Sequence, residues 1–167
     1  MKVRNLTDLF IHELNNMHNA EQQLHRALPG IISRARDKHV KAVFQEHLAE
    51  TERHISRIRE VMDILGLTPK TERICTAMEG LIEESKTILS DVADNRAIDA
   101  ALIAAAQKIE HYEIASYGTL IAIARTLGYD NAVIILKETL DEEKHTDEML
   151  THFAVEEGVN QQARKAA

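Results

Sequence analysis

Glu110 and Glu113 sit three residues apart in AAAQKIEHYEIASYGTL (residues 104–120), among small and apolar neighbours and on one face of any helix formed there. An ionised carboxylate facing a dry interior costs several kcal/mol unless a cation or a basic partner compensates it. Similar interruptions recur along the chain at helical spacing. Glu21 falls in the series Phe10, Leu14, Met17, Glu21, Leu24, Leu28. His47, Glu50 and His54 interrupt Val43, Ile58, Val61, Leu65. Glu110 and Glu113 lie between Ala106 and Tyr117, Leu120, Ala124, and Glu143 and Asp147 lie within Val133, Leu136, Leu140, Leu150, Ala154. Each series is apolar at both ends and polar only in its middle, whereas a solvated face is polar along its length.

Six carboxylates brought together (Glu21, Glu50, Glu110, Glu113, Glu143, Asp147) repel one another strongly, and no Lys or Arg stands at the matching inward positions. Protonation of some, favoured by crowding and burial, is one remedy. Two divalent or trivalent cations are the simpler one. Oxygen-rich ligation with one or two imidazoles suits iron or manganese better than zinc. His54 reads either as a ligand or as a donor behind one, and His47 as a donor orienting a carboxylate from one turn away. Tyr117 is core, with a hydroxyl in reach of a carboxylate. Glu142 and His145 have the Glu-x-x-His spacing of a di-iron helix, yet both lie off the Glu143 stripe, Glu142 by about 100°, one residue's turn. His18, His25 and His111 also lie off the stripes.

The elements that must position these groups are helices. Asn5 with Asp8 marks a helix start, and Pro29-Gly30 a kink or break followed by a short extension, IISRAR. A second helix runs from Asp37 to Leu65 and ends at Gly66. A shorter amphipathic helix spans 72–92, a third long helix 95–127, and a fourth 130–157, before a polar tail, NQQARKAA, expected to fray. Long helices of about 25–30 residues reach roughly 40 Å. Two hairpins, 5–66 and 95–158, joined by a crossover carrying a fifth, shorter helix define an all-α, ferritin-like up-down four-helix bundle in a single domain, 1–167. A 3–4 turn between Gly128 and Tyr129 sets Glu113 level with Glu143 and Glu110 level with Asp147. A first turn near Asp37 sets Glu21 level with His54.

Composition agrees. Of 167 residues 44% are apolar, with 4% aromatic, no Trp and two Pro, a helical composition. A net charge of −7 argues against nucleic acid. No apolar run approaches the ~18 residues of a membrane span, and the N-terminus lacks the pattern of a signal peptide, so the expectation is a cytoplasmic protein without membrane partners. The lone Cys75 excludes an internal disulfide and is expected to pack as a small hydrophobe beneath the crossover helix.

The segments AEQQL (20–24), HLAET (47–51), CTAMEGLIEE (75–84), DAALIAAAQKIEHYEIASYGTL (99–120) and EEKHTDEML (142–150) resemble the YciE/YciF family of ferritin-like bacterial stress proteins, over nearly the whole chain. The resemblance implies a homodimeric bundle related to rubrerythrins. It implies Glu21, Glu50, Glu110, Glu113 and Glu143 as ligands of two ions. The usual di-iron pattern places a His three residues after the ligand Glu, but Arg53 and Thr146 occupy those positions here. Two functions are therefore expected to compete. One is an iron or manganese protein reacting with oxygen or peroxide and drawing on an external reductant. The other is a stress-induced interaction module with a structural or vestigial metal site, dimerising through Met78, Leu81 and Ile82 of the crossover helix.

Overall fold

The computed structural model describes residues 2–69 and 74–164. The first helix, α1 (Leu6–Arg34), starts where the Asn5 side chain accepts the Asp8 amide at 2.7 Å. It does not break at Pro29. The proline removes one backbone hydrogen bond, but Ile31 and Ile32 pack against the core and Arg34 donates to the Leu89 carbonyl at 3.0 Å. Those tertiary contacts hold the last turn against the local penalty.

In the next turn the Asp37 carboxylate caps α2 (Lys38–Ile64) by accepting from His39 and Val40. Asp99, near the start of the third long helix, accepts the amides of Arg36 and Asp37 at 2.9 and 3.0 Å and ties this turn to the second hairpin. The crossover helix, α3 (Thr76–Asp91), is shorter than expected, and residues 72–73 of the anticipated span lie outside the described residues. Asn19 anchors its start by accepting the Cys75 amide at 2.7 Å. Met78 is fully buried, and Leu81 and Ile82 pack against the core. The apolar face expected to mediate dimerisation is thus turned into the bundle.

A short 3-10 turn (Asn95–Ala97) leads into α4 (Ile98–Leu127). Gly128 adopts φ 74°, a left-handed conformation that lets the Tyr129 amide reach back to Ala124 at 2.9 Å and close the helix. The last long helix is α5 (Asp130–Val155). The tail does not fray at once: α6 (Val159–Arg164) buries Val159 in the cluster containing Phe44 and Phe153. That buried anchor outweighs the polar composition of NQQAR.

The hairpins α1–α2 and α4–α5 pack side by side, with α1 against α4 and α2 against α5. Phe10 meets Tyr129 at one end, and the Arg36–Asp99 tie lies toward the other, so α1 and α4 run antiparallel. This is the ferritin-like, all-α arrangement, with no strand among the described residues. Two apolar clusters hold it. One centres on Phe10, Leu14, Ile58, Leu120 and Leu136, the other on Val40, Phe44, Leu102, Leu150 and Phe153. Each fully buried Leu or Phe contributes on the order of 2 kcal/mol. On α2, α4 and α5 the polar residues lie between these clusters. No described helix is long and apolar enough to cross a membrane.

Candidate metal centre

The four long helices bring Glu21 (α1), His47 and His54 (α2), Glu110 and Glu113 (α4) and Glu143 (α5) into one dry layer. Glu21, Glu113 and Glu143 have no exposed surface, and Glu110 has 1%. One ligand atom from each of His47, Glu110, Glu113 and Glu143 lies within 4.8 Å of the others, and the same holds for Glu21, His54 and Glu143. Glu143 belongs to both groups. His54 Nδ1 is 3.0 Å from one Glu143 oxygen and 3.6 Å from Glu21. His47 Nε2 is 3.4 Å from Glu110, and its Nδ1 is 3.9 Å from Glu143 and from Glu50. The Tyr117 hydroxyl donates to Glu21 Oε1 through a short hydrogen bond.

Among the described residues, nine buried side-chain nitrogens and oxygens complete no hydrogen bond, and all nine belong to this layer. They are Glu21 Oε2, both His47 ring nitrogens, His54 Nδ1, Glu110 Oε2, and both oxygens of Glu113 and of Glu143. Buried polar atoms are otherwise almost always paired, so such a concentration points to partners other than side chains.

Without a cation, protons must balance the charge. Burial favours neutral imidazoles, but Glu110, with Glu50 and Glu143, outweighs it and pushes His47 up to about 9. Glu21, with the hydrogen bond to Glu142 and the nearby Glu143 carboxylate, similarly pushes His54 up to about 12. Burial and neighbouring carboxylates, Glu143 foremost, raise Glu110 and Glu113 well above the usual range. Glu143 goes the other way: His54 and then His47 lower it despite its burial. Without a cation, these directions favour charge on Glu143 and on the two imidazoles and disfavour it on Glu110 and Glu113, and both Glu113 oxygens remain unbonded. The donor set of four carboxylates and two imidazoles, crowded within cation-spanning distances, fits two hard or borderline cations.

Not every anticipated residue joins this layer. Asp147 is level with Glu110 but turned aside, Oδ2 lying 3.3 Å from His111 Nε2 and Oδ1 accepting from Gln107 at 3.2 Å. Thr146 is buried in its place, because the inward series of α5 is Ala132, Leu136, Thr139, Glu143, Thr146, Leu150, Phe153. Glu50 is buried at the margin, accepting from the Thr146 hydroxyl at 3.4 Å and lying 3.5 Å from Arg53, outside both groups. His47 lies inside the cluster rather than behind it. Glu142 turns out to be a partner of the site: one oxygen accepts from His54 Nε2 at 2.7 Å. The sequence signal for it was the pair Arg53 and Arg57, one turn apart and flanking His54, which needs an acidic partner. Cys75 is buried as expected, and its sulfur also contacts the Tyr112 hydroxyl at 3.1 Å.

An antiparallel four-helix bundle with one long crossover and a buried carboxylate–imidazole layer defines a ferritin-like protein. The chain belongs to the family described as Domain of unknown function (DUF892), whose model matches residues 5–164, and which is the YciE/YciF family. It is 45% identical to Protein YciF of Escherichia coli K12 over the full length of both chains. It superposes on the crystal structure of that stress protein with a TM-score of 0.89, covering 95% of this chain and 99% of the other. It superposes on YcfI of Rhodopseudomonas palustris at 0.87 with 40% identity, covering 90% and 95%. A Xanthomonas campestris protein at 17% identity shares the fold alone, with a TM-score of 0.72 over 96% and 99%.

Proposed function

We propose that this protein is a di-metal carboxylate protein carrying iron or manganese, reactive toward oxygen or peroxide. The supporting observation is the set of nine unpartnered buried atoms, all on Glu21, His47, His54, Glu110, Glu113 and Glu143. His47, Glu110 and Glu113 would hold one ion, Glu21 and His54 the other, and Glu143 would bridge them. Bound iron or manganese would supply the one-electron chemistry that no side chain here provides. The protein's own part is positioning and exclusion. Tyr117 holds Glu21 at a fixed angle, the two apolar clusters keep bulk water away, and Glu110 and Glu113 exchange their protons for cations. Among the described residues Cys75 is the one cysteine, so reduction would draw on an external partner.

Metal analysis of protein purified without chelator tests this reading. Close to two equivalents of iron or manganese are expected in the wild type and far less in Glu113→Ala. Equal, near-zero metal in both overturns it.

A second reading is a stress-induced structural module in which a bound metal only stabilises the bundle. Arg53 and Thr146 favour it, standing where a di-iron protein has histidines. YcfI, provisionally described as a structural protein, also fits it. Metal loading that raises Tm while leaving peroxide and oxygen unconsumed would select it. A homodimer is compatible with either reading.

A further inference from the structure

We propose that Glu142 is the positioning residue for the metal position at His54, fixing the imidazole with Nε2–H outward and Nδ1 bare toward Glu21 and Glu143. The inference rests on the di-metal reading above and assigns a role to a residue outside the cluster.

An ionised carboxylate only accepts hydrogen bonds. Glu142 Oε2 lies 2.7 Å from His54 Nε2, so that nitrogen must carry the proton. A neutral ring protonated there presents a lone pair at Nδ1, which lies 3.6 Å from Glu21 and 3.0 Å from Glu143. The ring therefore joins a partly exposed carboxylate outside to a carboxylate pair inside. Such an outer acceptor sets both the tautomer and the angle of a ligating imidazole.

Glu142 is itself held in place. Arg57 grips it through Nη1 at 2.5 Å and Nη2 at 3.1 Å, and Arg53 lies 3.4 Å away. Arg57 is braced in turn by Glu138 at 3.3 Å and the Thr139 hydroxyl at 3.4 Å. With the Arg57 guanidinium donating to both of its oxygens, the Glu142 carboxylate faces His54 as an acceptor.

His47 has no counterpart. Neither of its ring nitrogens completes a hydrogen bond: Nε2 is 3.4 Å from Glu110, and the marginal Glu50, at 3.9 Å from Nδ1, is too far to accept from it. The two positions are thus built differently: His54 is pre-set from outside, and His47 takes its orientation from the cluster. Loss of Glu142 should weaken one position and spare the other.

A plain interhelical ion pair between Arg57 and Glu142 is the structural alternative, in which Glu142→Leu and Arg57→Leu both lower Tm and neither changes metal affinity. Mn²⁺ titration of wild type, Glu142→Leu, Glu142→Gln and Arg57→Leu reads each position's affinity. ¹⁵N-histidine NMR of the Zn²⁺-loaded protein reads the His54 tautomer. Glu142→Leu is expected to lose roughly 10- to 100-fold in affinity for one Mn²⁺ only. Arg57→Leu should lower Tm and weaken the same Mn²⁺ position, by less than Glu142→Leu, because it loosens the carboxylate without removing it. In the Zn²⁺ protein His54 should carry its proton on Nε2. Glu142→Gln keeps the side-chain shape and an acceptor oxygen, and should fall between wild type and Glu142→Leu. It also stands in if the leucine variant does not fold. Two wild-type affinities in Glu142→Leu, or a proton on His54 Nδ1 in the Zn²⁺ protein, overturn the inference and leave the di-metal reading standing. A wild type that binds neither metal overturns both.

Discussion

His54 Nδ1 and Glu143 Oε1 stand 3.0 Å apart in the dry middle of the bundle, and neither atom completes a hydrogen bond. Two lone pairs at that separation repel, so a proton or a cation must lie between the two side chains. Their surroundings allow both. With protons, His54 is an imidazolium pushed up to about 12 and Glu143 its counterion. With a cation, both become ligands.

Because Glu143 belongs to both ligand groups and Asp147 to neither, the two should differ sharply on substitution. Glu143→Ala is expected to abolish binding of both ions, and Asp147→Ala to leave metal content unchanged. Inductively coupled plasma analysis of the purified variants checks this. Two ions retained by Glu143→Ala would contradict the bridging assignment.

The metal-free protein should lose stability as pH rises. His47 is pushed above its unfolded value of 6.5 to about 9, and Glu110 and Glu113 are raised as well. The folded state therefore binds more protons than the unfolded one, and stability falls with pH. The His47 contribution is fully present below about pH 6.5 and lost as pH passes about 9, on the order of 3 kcal/mol. Calorimetry of chelated protein at pH 6.5 and 9 should show Tm falling. Metal-loaded protein should show a smaller fall, since cations replace those protons and bind more tightly as pH rises.

Tyr117→Phe removes the hydroxyl that donates to Glu21, leaving a wholly buried carboxylate oxygen without its donor. A loss of about 1–3 kcal/mol is expected in denaturant unfolding of the metal-free protein. Metal loading should recover part of it. An unchanged midpoint would mean that Glu21 finds another donor.

Much of the fold was legible because its signals are local. Asn5, Asp37 and Gly128 mark helix ends through their own side chains or dihedral freedom, and the 3–4 spacing of the stripes identifies a bundle. What was misread depended on distant partners. Pro29 fails to break α1 because Ile31, Ile32 and Arg34 are held by the rest of the bundle, and α6 forms because Val159 finds Phe44 and Phe153.

The site divides along the same line. Helix arithmetic placed Glu21 level with His54 and Glu113 level with Glu143, as the structure has them. The stripe of α5 was ambiguous because two series share Leu136, Glu143 and Leu150 and differ by one residue between. That single residue decides whether Thr146 or Asp147 faces inward, and threonine's mixed polarity does not choose. Glu142 stands off the α5 stripe, and its acceptor role depends on His54 and Arg57 of a different helix.

In the function proposed above, the polar layer is built around two cations. Anomalous X-ray scattering from crystals of protein supplied with iron or manganese, scanned across both edges, tests it most directly. Two peaks are expected, one among His47, Glu110, Glu113 and Glu143 and one among Glu21, His54 and Glu143. A bundle centre with no anomalous peak at either edge would contradict it.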